Sequence, residues 1–482
     1  MDSKTILETI ASLEQRKEAL WREIESIDVE VESHKRAYAR IVNNDAPVFR
    51  LPNELLTEIL IICQNSPTPR KKAYRCLPLQ VTISHVSQRW REVVLETPLF
   101  WNTVDFRVRS MAHIQRCILP FLDARLTRSL SCFLDITLDF DIDIDGLQPF
   151  FDLLSRHCER WRRLSIISHY SCVDQIHSFL QKARTPILEH LSLSIVEIPR
   201  EGSSPRQQYN DVFPSILPSA SERLKFVRLA GLSLGNHHPP TSFVTTLHLD
   251  GWTRHYMTHK QFQHILQAAP SLINLSLNEL CIHFPRDPIE ILSPVNLPHL
   301  LNLRIRGSCS PIARPLALMS MPNLHSLSLL EIQAFDSDVI PSVRCLSLEA
   351  CSIGEIGIEH LFRAFPSVTS LSIDNSVPFI FSMLRPEEEP QIQPEPWARL
   401  ETMSLRQLEQ LDVSRFCDMA FALDENKRGL RSVFLDRRSR EVLRRKHRLD
   451  WLRELVPKVE NCDEQEPWPL GLGYEDTHDL LI

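Results

Sequence analysis

The chain has 482 residues, of which 43% are hydrophobic and 24% charged, an ordinary globular composition that is long enough for two or three domains. The net charge of −7 argues against nucleic-acid binding through a basic surface. No apolar run reaches the ~18–20 residues that cross a bilayer, no signal-peptide core is present, and the 12 cysteines form no CxxC pair. We therefore expect a cytoplasmic or nuclear protein with reduced thiols and no membrane partner.

Residues 1–45 are predicted to form a long helix. Between residues 4 and 41, neither Pro nor Gly interrupts a 3-4 spacing of apolar side chains, at Ile6, Ile10, Leu13, Leu20, Ile24, Ile27, Val31, Tyr38 and Ile41. This heptad pattern is typical of a coiled coil, so one hypothesis is a homodimer, or a partner helix, bound through residues 4–41. An amphipathic helix that packs on its own chain explains the pattern equally well.

Residues 46–106 are predicted to form a small all-α domain. Pro52 suits the first turn of a helix, and Leu55, Leu56, Ile59 and Leu60 follow at helical spacing. A second helix, which stops before Pro98, is predicted to have an apolar face that consists of Val86, Trp90, Val93 and Val94. Because a domain of this size buries only a small core, it tends to leave apolar surface for a partner.

This segment resembles the F-box. The family pattern is Leu-Pro-x-Glu-Leu/Ile-Leu, then Val-Ser-x-x-Trp-Arg, then Leu-Trp. The chain carries Leu51-Pro52-x-Glu54-Leu55-Leu56, Val86-Ser87-x-x-Trp90-Arg91 and Leu99-Phe100-Trp101, with an inserted polar loop at 64–72. With the heptad helix before it, the segment also resembles the large F-box family of mushroom-forming fungi.

The resemblance implies that this domain docks on the Skp-type adaptor of a cullin–RING (SCF-type) ubiquitin ligase. Carried onto matching positions, it gives an adaptor-binding set of Leu51, Pro52, Leu55, Leu56, Ile59, Val86, Trp90 and Trp101. The alternative is an ordinary helical subdomain that packs on its own chain, in which some of these side chains belong to the internal core.

Residues 107–455 repeat the pattern Pro-x-Leu/Val-x-x-Leu-x-Leu/Ile at spacings of about 20 to 36 residues, which is the signature of leucine-rich repeats. Five copies begin at Pro270, Pro298, Pro322, Pro341 and Pro366. Six copies without the proline begin at Trp161, Leu188, Leu224, Val244, Leu400 and Leu430. We predict an α/β fold: an N-terminal helix, the small F-box, then a right-handed solenoid with a parallel inner sheet and outer helices. The rival is a conventional α/β fold, which would have more glycine-rich turns.

The middle residue of each repeat core, with its neighbours, is predicted to lie on the open face of the sheet. The substrate-face candidates are Asp250, Ser276, Asn278, Arg304, Arg306, Ser328, Ser347, Glu349, Ser372, Asp374 and Arg406. Such a mixed polar face suits a protein surface or a peptide better than an apolar small molecule. Taken singly, the serines are better explained by tolerance of a tightly curved, solvated strand.

No motif indicates catalysis, a metal or a cofactor. His255 and His259 have the i, i+4 spacing of two ligands but lack the glutamate of HExxH, and residues 141–146 begin like a calcium loop without its final glutamate. A basic cluster at 437–448 is predicted to lie on a helix that caps the last repeat, or to act as an import signal. Residues 456–482 are predicted to be a loose tail.

Two functional hypotheses follow, neither of them an enzyme. In the first, the chain is the substrate receptor of an SCF-type ligase, which binds the Skp-type adaptor and an unknown protein substrate. In the second, it is a scaffold unrelated to ubiquitin, which dimerises through its N-terminal helix and binds a partner on the solenoid.

Overall fold

The computed structural model divides the described residues into two compact units. Unit 1 is Met1–Asn102 with Arg125–Cys132, and unit 2 is Thr103–Ala124 with Phe133–Ile482. The structure describes residues 3–45, 47–65, 78–108, 114, 118–140, 146–196, 216–218, 222–231, 238–251, 257–280, 282–283, 293–307, 313–374, 379–385, 396–462 and 468. The chain is a mixed α/β protein with an N-terminal helix and a long parallel sheet.

Unit 1 is helical. Its helices are α1 (Ser3–Asp45), α2 (Asn53–Asn65), α3 (Leu79–Ser84) and α4 (Gln88–Glu96), with 3-10 turns at Pro47–Arg50 and Pro98–Trp101. The predicted N-terminal helix is confirmed, and most of the inserted loop predicted at 64–72 lies outside the described residues. The core of the small helices consists of Leu56, Leu60, Ile83, Val93, Val94, Phe100 and Trp101, which are at most 6% exposed.

Unit 2 is built on a sheet of 14 parallel strands within the described ranges. These strands are β1 (Thr103–Val108), β2 (Leu134–Phe140), β3 (Trp161–His169), β4 (His190–Val196), β5 (Phe226–Gly231), β6 (Thr246–Asp250), β8 (Asn274–Asn278), β11 (Asn302–Arg306), β13 (Ser326–Leu330), β14 (Cys345–Glu349), β15 (Ser370–Asp374), β16 (Thr402–Arg406), β17 (Ser432–Leu435) and β18 (Lys458–Asn461). Neighbours in this order are hydrogen-bonded neighbours in the sheet. Two small sheets pair β7 (Met257–Thr258) with β9 (Ile282–His283) and β10 (Val295–Asn296) with β12 (Met319–Ser320).

All eleven repeat cores predicted from the sequence are strands of this sheet. The registers align the cores residue by residue; for example, Leu303 lies opposite Leu275 on one side and Leu327 on the other. The last two apolar positions of each Leu-x-x-Leu-x-Leu core are therefore stacked on one apolar face, where these three leucines are fully buried. This face drives the stacking, because a single strand cannot bury its apolar side alone.

Two predicted boundaries are wrong. Residues 103–106, assigned to the small helical domain, belong to β1, which pairs with β2 from Thr103 onward. Residues 458–461, assigned to the loose tail, form β18, which pairs with β17. Both strands were missed because they lack the Leu-x-x-Leu-x-Leu core. Each is paired in register with a neighbouring strand, and β1 also buries Val104 and Phe106 on one side.

Helices lie between many of the strands. They are α5 (Leu119–Arg128), α6 (Gln148–Ser155), α7 (Val173–Lys182), α8 (His259–Gln267), α9 (Ala313–Ala317), α10 (Glu355–Ala364), α11 (Phe379–Met383), α12 (Asp412–Glu425), α13 (Arg437–Arg445) and α14 (Leu449–Leu455). Three of these helices, α6, α8 and α10, lie directly before the Trp161, Pro270 and Pro366 repeats. Their inward side chains are buried, as shown by Phe262 and Leu266 of α8.

Candidate protein-interaction surfaces

One helix of unit 1 carries apolar side chains on two sides. On α2, Leu56 and Leu60 are 1% and 5% exposed and belong to the core. Leu55, Ile59 and Ile62, which follow each other at i, i+4 and i+7, are 47%, 46% and 66% exposed. This spacing places the three on one side of the helix, and we call them the α2 stripe. The core of the small helices therefore leaves this side of α2 exposed.

The structure separates the eight predicted adaptor-binding residues into surface and core. Pro52, Leu55, Ile59 and Val86 are exposed, and Leu51 and Trp90 are half-buried. Leu56 and Trp101 are 1% and 3% exposed, so both are corrected to core residues. Both belong to the core of the small helices, together with Leu60, Val94 and Phe100. Val86 also differs from its predicted place on the face of a helix, because α4 begins two residues later at Gln88.

Arg89 connects the second segment of the F-box-like motif, residues 86–91, to the chain around the first segment, residues 49–53. Its Nε donates to Asn53 Oδ1 at 2.9 Å and its Nη1 donates to the carbonyl oxygen of Phe49 at 2.6 Å. Nη2 donates to the carbonyl oxygen of Leu51. The guanidinium also lies 5.6 Å from the ring centroid of Phe49. Arg89 was not among the residues predicted from the sequence to have a role. The planar fork of arginine suits several acceptors at once, which a lysine cannot serve.

The second motif is fixed by local hydrogen bonds. Ser87 is the N-cap of α4, and its Oγ accepts from the backbone N–H of Trp90 at 3.3 Å. At the end of the motif, Trp101 Nε1 donates to the carbonyl oxygen of Val94 at 2.8 Å, and the Arg128 guanidinium lies 4.7 Å from the ring centroid of Trp101. The polar atom of Trp101 is thus satisfied inside the core, which allows an indole to be buried.

In strands β4 to β16 of the 14-stranded sheet, the first, third and fifth residues lie on the sheet side opposite the leucines, and we call this side the polar face. The register confirms that the third positions form one row, in which Ser192, Arg228, His248, Ser276, Arg304, Ser328, Ser347, Ser372 and Ser404 are successive neighbours. Side chains bridge neighbouring strands: Asn302 Nδ2 donates to Asn274 Oδ1 at 2.7 Å, and Asn274 Nδ2 donates to Thr246 Oγ1 at 3.0 Å.

The polar face is not uniformly open, contrary to the prediction. Four predicted substrate-face residues are almost fully buried within the chain: Asp250 and Ser276 are 1% exposed, Arg304 is 7% and Ser328 is 8%. The other seven candidates, Asn278, Arg306, Ser347, Glu349, Ser372, Asp374 and Arg406, are half-buried. The four buried residues are therefore removed from the accessible set, and the accessible part lies mainly on β14–β16.

That accessible part carries opposed charges. In the register, Glu349 of β14 is opposite Asp374 of β15, which is opposite Arg406 of β16. Burial raises the pKa of both carboxyl groups above their ordinary values, and the Arg406 guanidinium lowers each pKa in part. Ser347 Oγ donates to Glu349 at 3.2 Å. Carboxylates held in this way favour a partner that supplies a cation or a hydrogen-bond donor.

On β4 and β5, nearer the N-terminal end of the sheet, His190 stacks on Phe226 with 4.2 Å between ring centroids and 4° between their planes. Burial, assisted by the positive charges of Arg163 and Arg228, lowers the pKa of His190 to about 3. The imidazole is therefore neutral at physiological pH and acts as an aromatic surface rather than as a charge.

The candidates for metal binding receive no support within the described residues, among which no group of three His, Cys, Asp or Glu side chains is placed to hold a metal ion. His255 and residues 141–145 of the stretch that begins like a calcium loop lie outside those residues. Two aspartates of β2, which precedes that stretch, form cross-strand ion pairs: Asp135 with Arg162 at 2.6 Å, and Asp139 with Arg107 at 3.4 Å. Within the described ranges, no helix has the combination of length and apolar character needed to cross a bilayer.

No protein-family model and no curated protein matches the chain.

Proposed function

We propose that this chain is the substrate-receptor subunit of an SCF-type cullin–RING ubiquitin ligase. Residues 46–102 act as an F-box that binds the Skp-type adaptor, and the leucine-rich repeats of unit 2 bind a protein substrate on the polar face. The role requires no catalytic group in this chain, because a separate enzyme transfers ubiquitin.

The observation that carries the proposal is the α2 stripe. Leu55, Ile59 and Ile62 are about half exposed or more, although Leu56 and Leu60 on the same helix fill the core. Apolar side chains kept in water along one helix side cost free energy unless a partner covers them. They also fall on, or directly after, the Leu-Pro-x-Glu-Leu-Leu motif that resembles the F-box.

The test is binding of the purified full-length chain to a purified Skp-type adaptor. Leu55→Ala with Ile59→Ala should weaken binding by about 30-fold or more, because buried anchor residues of an interface contribute about 2 kcal/mol or more. Leu55→Asp with Ile59→Asp should abolish binding. Circular dichroism and thermal melting must be unchanged for either result to count.

A matched control is Leu411→Asp, which places a charge at an exposed leucine (81% exposed) in unit 2. Binding of this variant should equal that of the wild type. Absence of any adaptor binding by the folded wild-type chain, or full binding by the folded Leu55→Asp and Ile59→Asp variant, would contradict the F-box proposal.

For the substrate, the half-buried residues of β14–β16 are the proposed contact. Glu349, Asp374 and Arg406 present both signs of charge within two neighbouring strand spacings. This arrangement suits a peptide or protein segment that carries complementary charged groups rather than an apolar small molecule.

A second candidate function is favoured by α1, the 43-residue helix. Its residues from Ile6 to Val42 are all exposed, including the whole predicted heptad stripe. A scaffold that dimerises through α1 would cover this stripe. Sedimentation of the full-length chain tests it: a dimer that Ile24→Glu with Ile27→Glu converts to a monomer would favour the scaffold, and a monomeric wild type at micromolar concentration would exclude it.

A further inference from the structure

The buried centre of the polar face is in contact with an aromatic side chain from the C-terminal region. The indole of Trp468 lies with its ring centroid 4.5 Å from Cζ of Arg304, within the range of a cation–π contact. Its ring centroid is also 5.4 Å from that of His248, with the planes tilted by 52°. Two residues of the third-position row, on β6 and β11, therefore contact this indole.

The groups beneath the indole are held in place by neighbours on the sheet. Arg304 Nε donates to Ser276 Oγ at 3.1 Å, on the strand between those of Arg304 and His248. Arg228 and Asp250 form a buried ion pair in which Nε lies 2.5 Å from Oδ2. Arg228, His248, Ser276 and Arg304 are between 1% and 7% exposed. An arginine that is fixed and desolvated in this way binds an aromatic ring more strongly than an exposed one.

The His248 ring continues an aromatic surface. Phe226 lies 4.9 Å from His248 and 4.2 Å from His190, each measured between ring centroids. His190 is neutral, since its pKa is about 3. The site thus combines one guanidinium with flat rings, which is the chemistry that recognises an indole.

Burial on the row changes with position in a way that matches this contact. The third-position residues from β5 to β13 are at most 8% exposed, whereas Ser347, Ser372 and Ser404 on β14, β15 and β16 are half-buried. All these positions have the same place in the repeat, so the strand pattern alone gives them the same environment. The difference is centred on the strands that contact Trp468.

We propose that Arg304, Ser276 and His248, with Arg228 and Asp250 beside them, form an indole-binding site, and that Trp468 of the same chain is its resident occupant. A tryptophan from a protein partner gains access only by displacing Trp468, so the C-terminal segment is an internal competitor. The idea that this competition regulates substrate binding rests on the proposed function, whereas the site and its occupancy by Trp468 do not.

The connection to the sheet makes this competitor effective. The last strand, β18, ends at Asn461, and the backbone N–H of Cys462 still donates to the carbonyl oxygen of Leu435 at 2.9 Å. Trp468 follows only six residues later. A connection this short gives Trp468 an effective local concentration on the order of millimolar at the site. A separate partner must therefore bind tightly enough to compete with an occupant present at that concentration.

The occupancy is tested by ¹⁹F NMR on the full-length chain labelled with 5-fluorotryptophan. The chain has eight tryptophans and should therefore give eight ¹⁹F signals. Trp468→Phe assigns one signal, and Trp21→Phe assigns that of Trp21, which is 62% exposed and serves as the solvent reference. The Trp468 signal should show a smaller H₂O/D₂O shift than Trp21. Arg304→Gln should bring it close to the Trp21 value, and Arg344→Gln, a matched control before β14, should not.

Competition is tested with a fluorescein-labelled peptide of residues 461–475 and the same full-length proteins. The peptide should bind the Trp468→Ala chain at least ten-fold more tightly than the wild type. A peptide with the same substitution, or a chain that carries Arg304→Gln with Trp468→Ala, should lose that binding.

The result that overturns the proposal is a Trp468 signal as solvent-exposed as Trp21 in the wild type, or peptide binding that is equal in both chains. Unchanged melting temperatures separate these outcomes from misfolding. Neither assay contains the Skp-type adaptor, so failure here leaves the ligase proposal intact, and failure of adaptor binding leaves this site intact.

Discussion

Two neighbouring leucines of the same helix provide the sharpest test of the unit 1 structure. Leu56 is 1% exposed in the core, and Leu55 is 47% exposed on the α2 stripe. Truncation of either to alanine removes three carbon atoms, worth about 2.4 kcal/mol at ~0.8 kcal/mol for each buried carbon. For Leu56 the full transfer term and a cavity term apply, so Leu56→Ala should cost about 2–5 kcal/mol. For Leu55 roughly half applies and no cavity forms, so Leu55→Ala should cost about 1 kcal/mol.

Hydrogen exchange with mass spectrometry is the suitable assay, because a two-unit chain has no single unfolding free energy. Peptides that cover α2 and α4 should lose protection strongly in Leu56→Ala and slightly in Leu55→Ala, with strands β13–β15 as the internal control. Equal losses in the two variants, or a larger loss in Leu55→Ala, would refute the assignment of core and surface on α2.

Three further predictions follow from individual contacts. Arg89→Lys should lower protection of the Phe49–Asn53 segment by about 1–3 kcal/mol, since an ammonium cannot replace the fork; hydrogen exchange measures it, and an unchanged segment would contradict it. Glu349→Gln should raise the melting temperature at pH 7, because burial raises the pKa of Glu349; the gain should vanish below the ordinary value of 4.5, and a gain that persists there would exclude this cause. Between pH 6.5 and about 3, the unfolded state binds a proton at His190 that the folded state does not. On acidification, the free energy of unfolding of the wild type should therefore fall more steeply than that of His190→Gln, by up to about 1.4 kcal/mol per pH unit. Urea titrations at several pH values measure this, and identical slopes for the two proteins would refute it.

The first helix of the F-box-like motif shows what apolar periodicity in the sequence can and cannot predict. Helical spacing correctly predicted a helix that contains Leu55, Leu56, Ile59 and Leu60, now α2. It could not divide them, because all four are apolar and adjacent pairs differ by only 100° around a helix. Which side faces the core was decided by Val93, Val94 and Phe100, which come from elsewhere in the chain and pack on Leu56 and Leu60.

The same limit explains why the role of Arg89 could not be predicted from the sequence. The sequence does not show which acceptors an arginine on a helix will reach. Its acceptors are the main-chain carbonyl groups of Phe49 and Leu51 and the side-chain oxygen of Asn53, about forty residues earlier. Only the tertiary structure brings those groups within reach of the guanidinium.

The sequence by itself determined the parallel sheet of unit 2. Each Leu-x-x-Leu-x-Leu core carries its own period-2 alternation, and stacking identical cores in register is the one arrangement that buries every apolar row. All eleven predicted cores are strands for this reason. The information is local and repeated, so no distant contact was needed to read it.

The tertiary structure alone decided which part of the polar face is accessible. Arg304 and Ser347 occupy the same position of the repeat, yet Arg304 is 7% exposed and Ser347 is half-buried. Trp468, more than 160 residues after Arg304 in the chain, lies against the Arg304 guanidinium. A contact between a repeat and a segment outside the repeats leaves no trace in the repeat pattern, because it depends on where the chain returns in space.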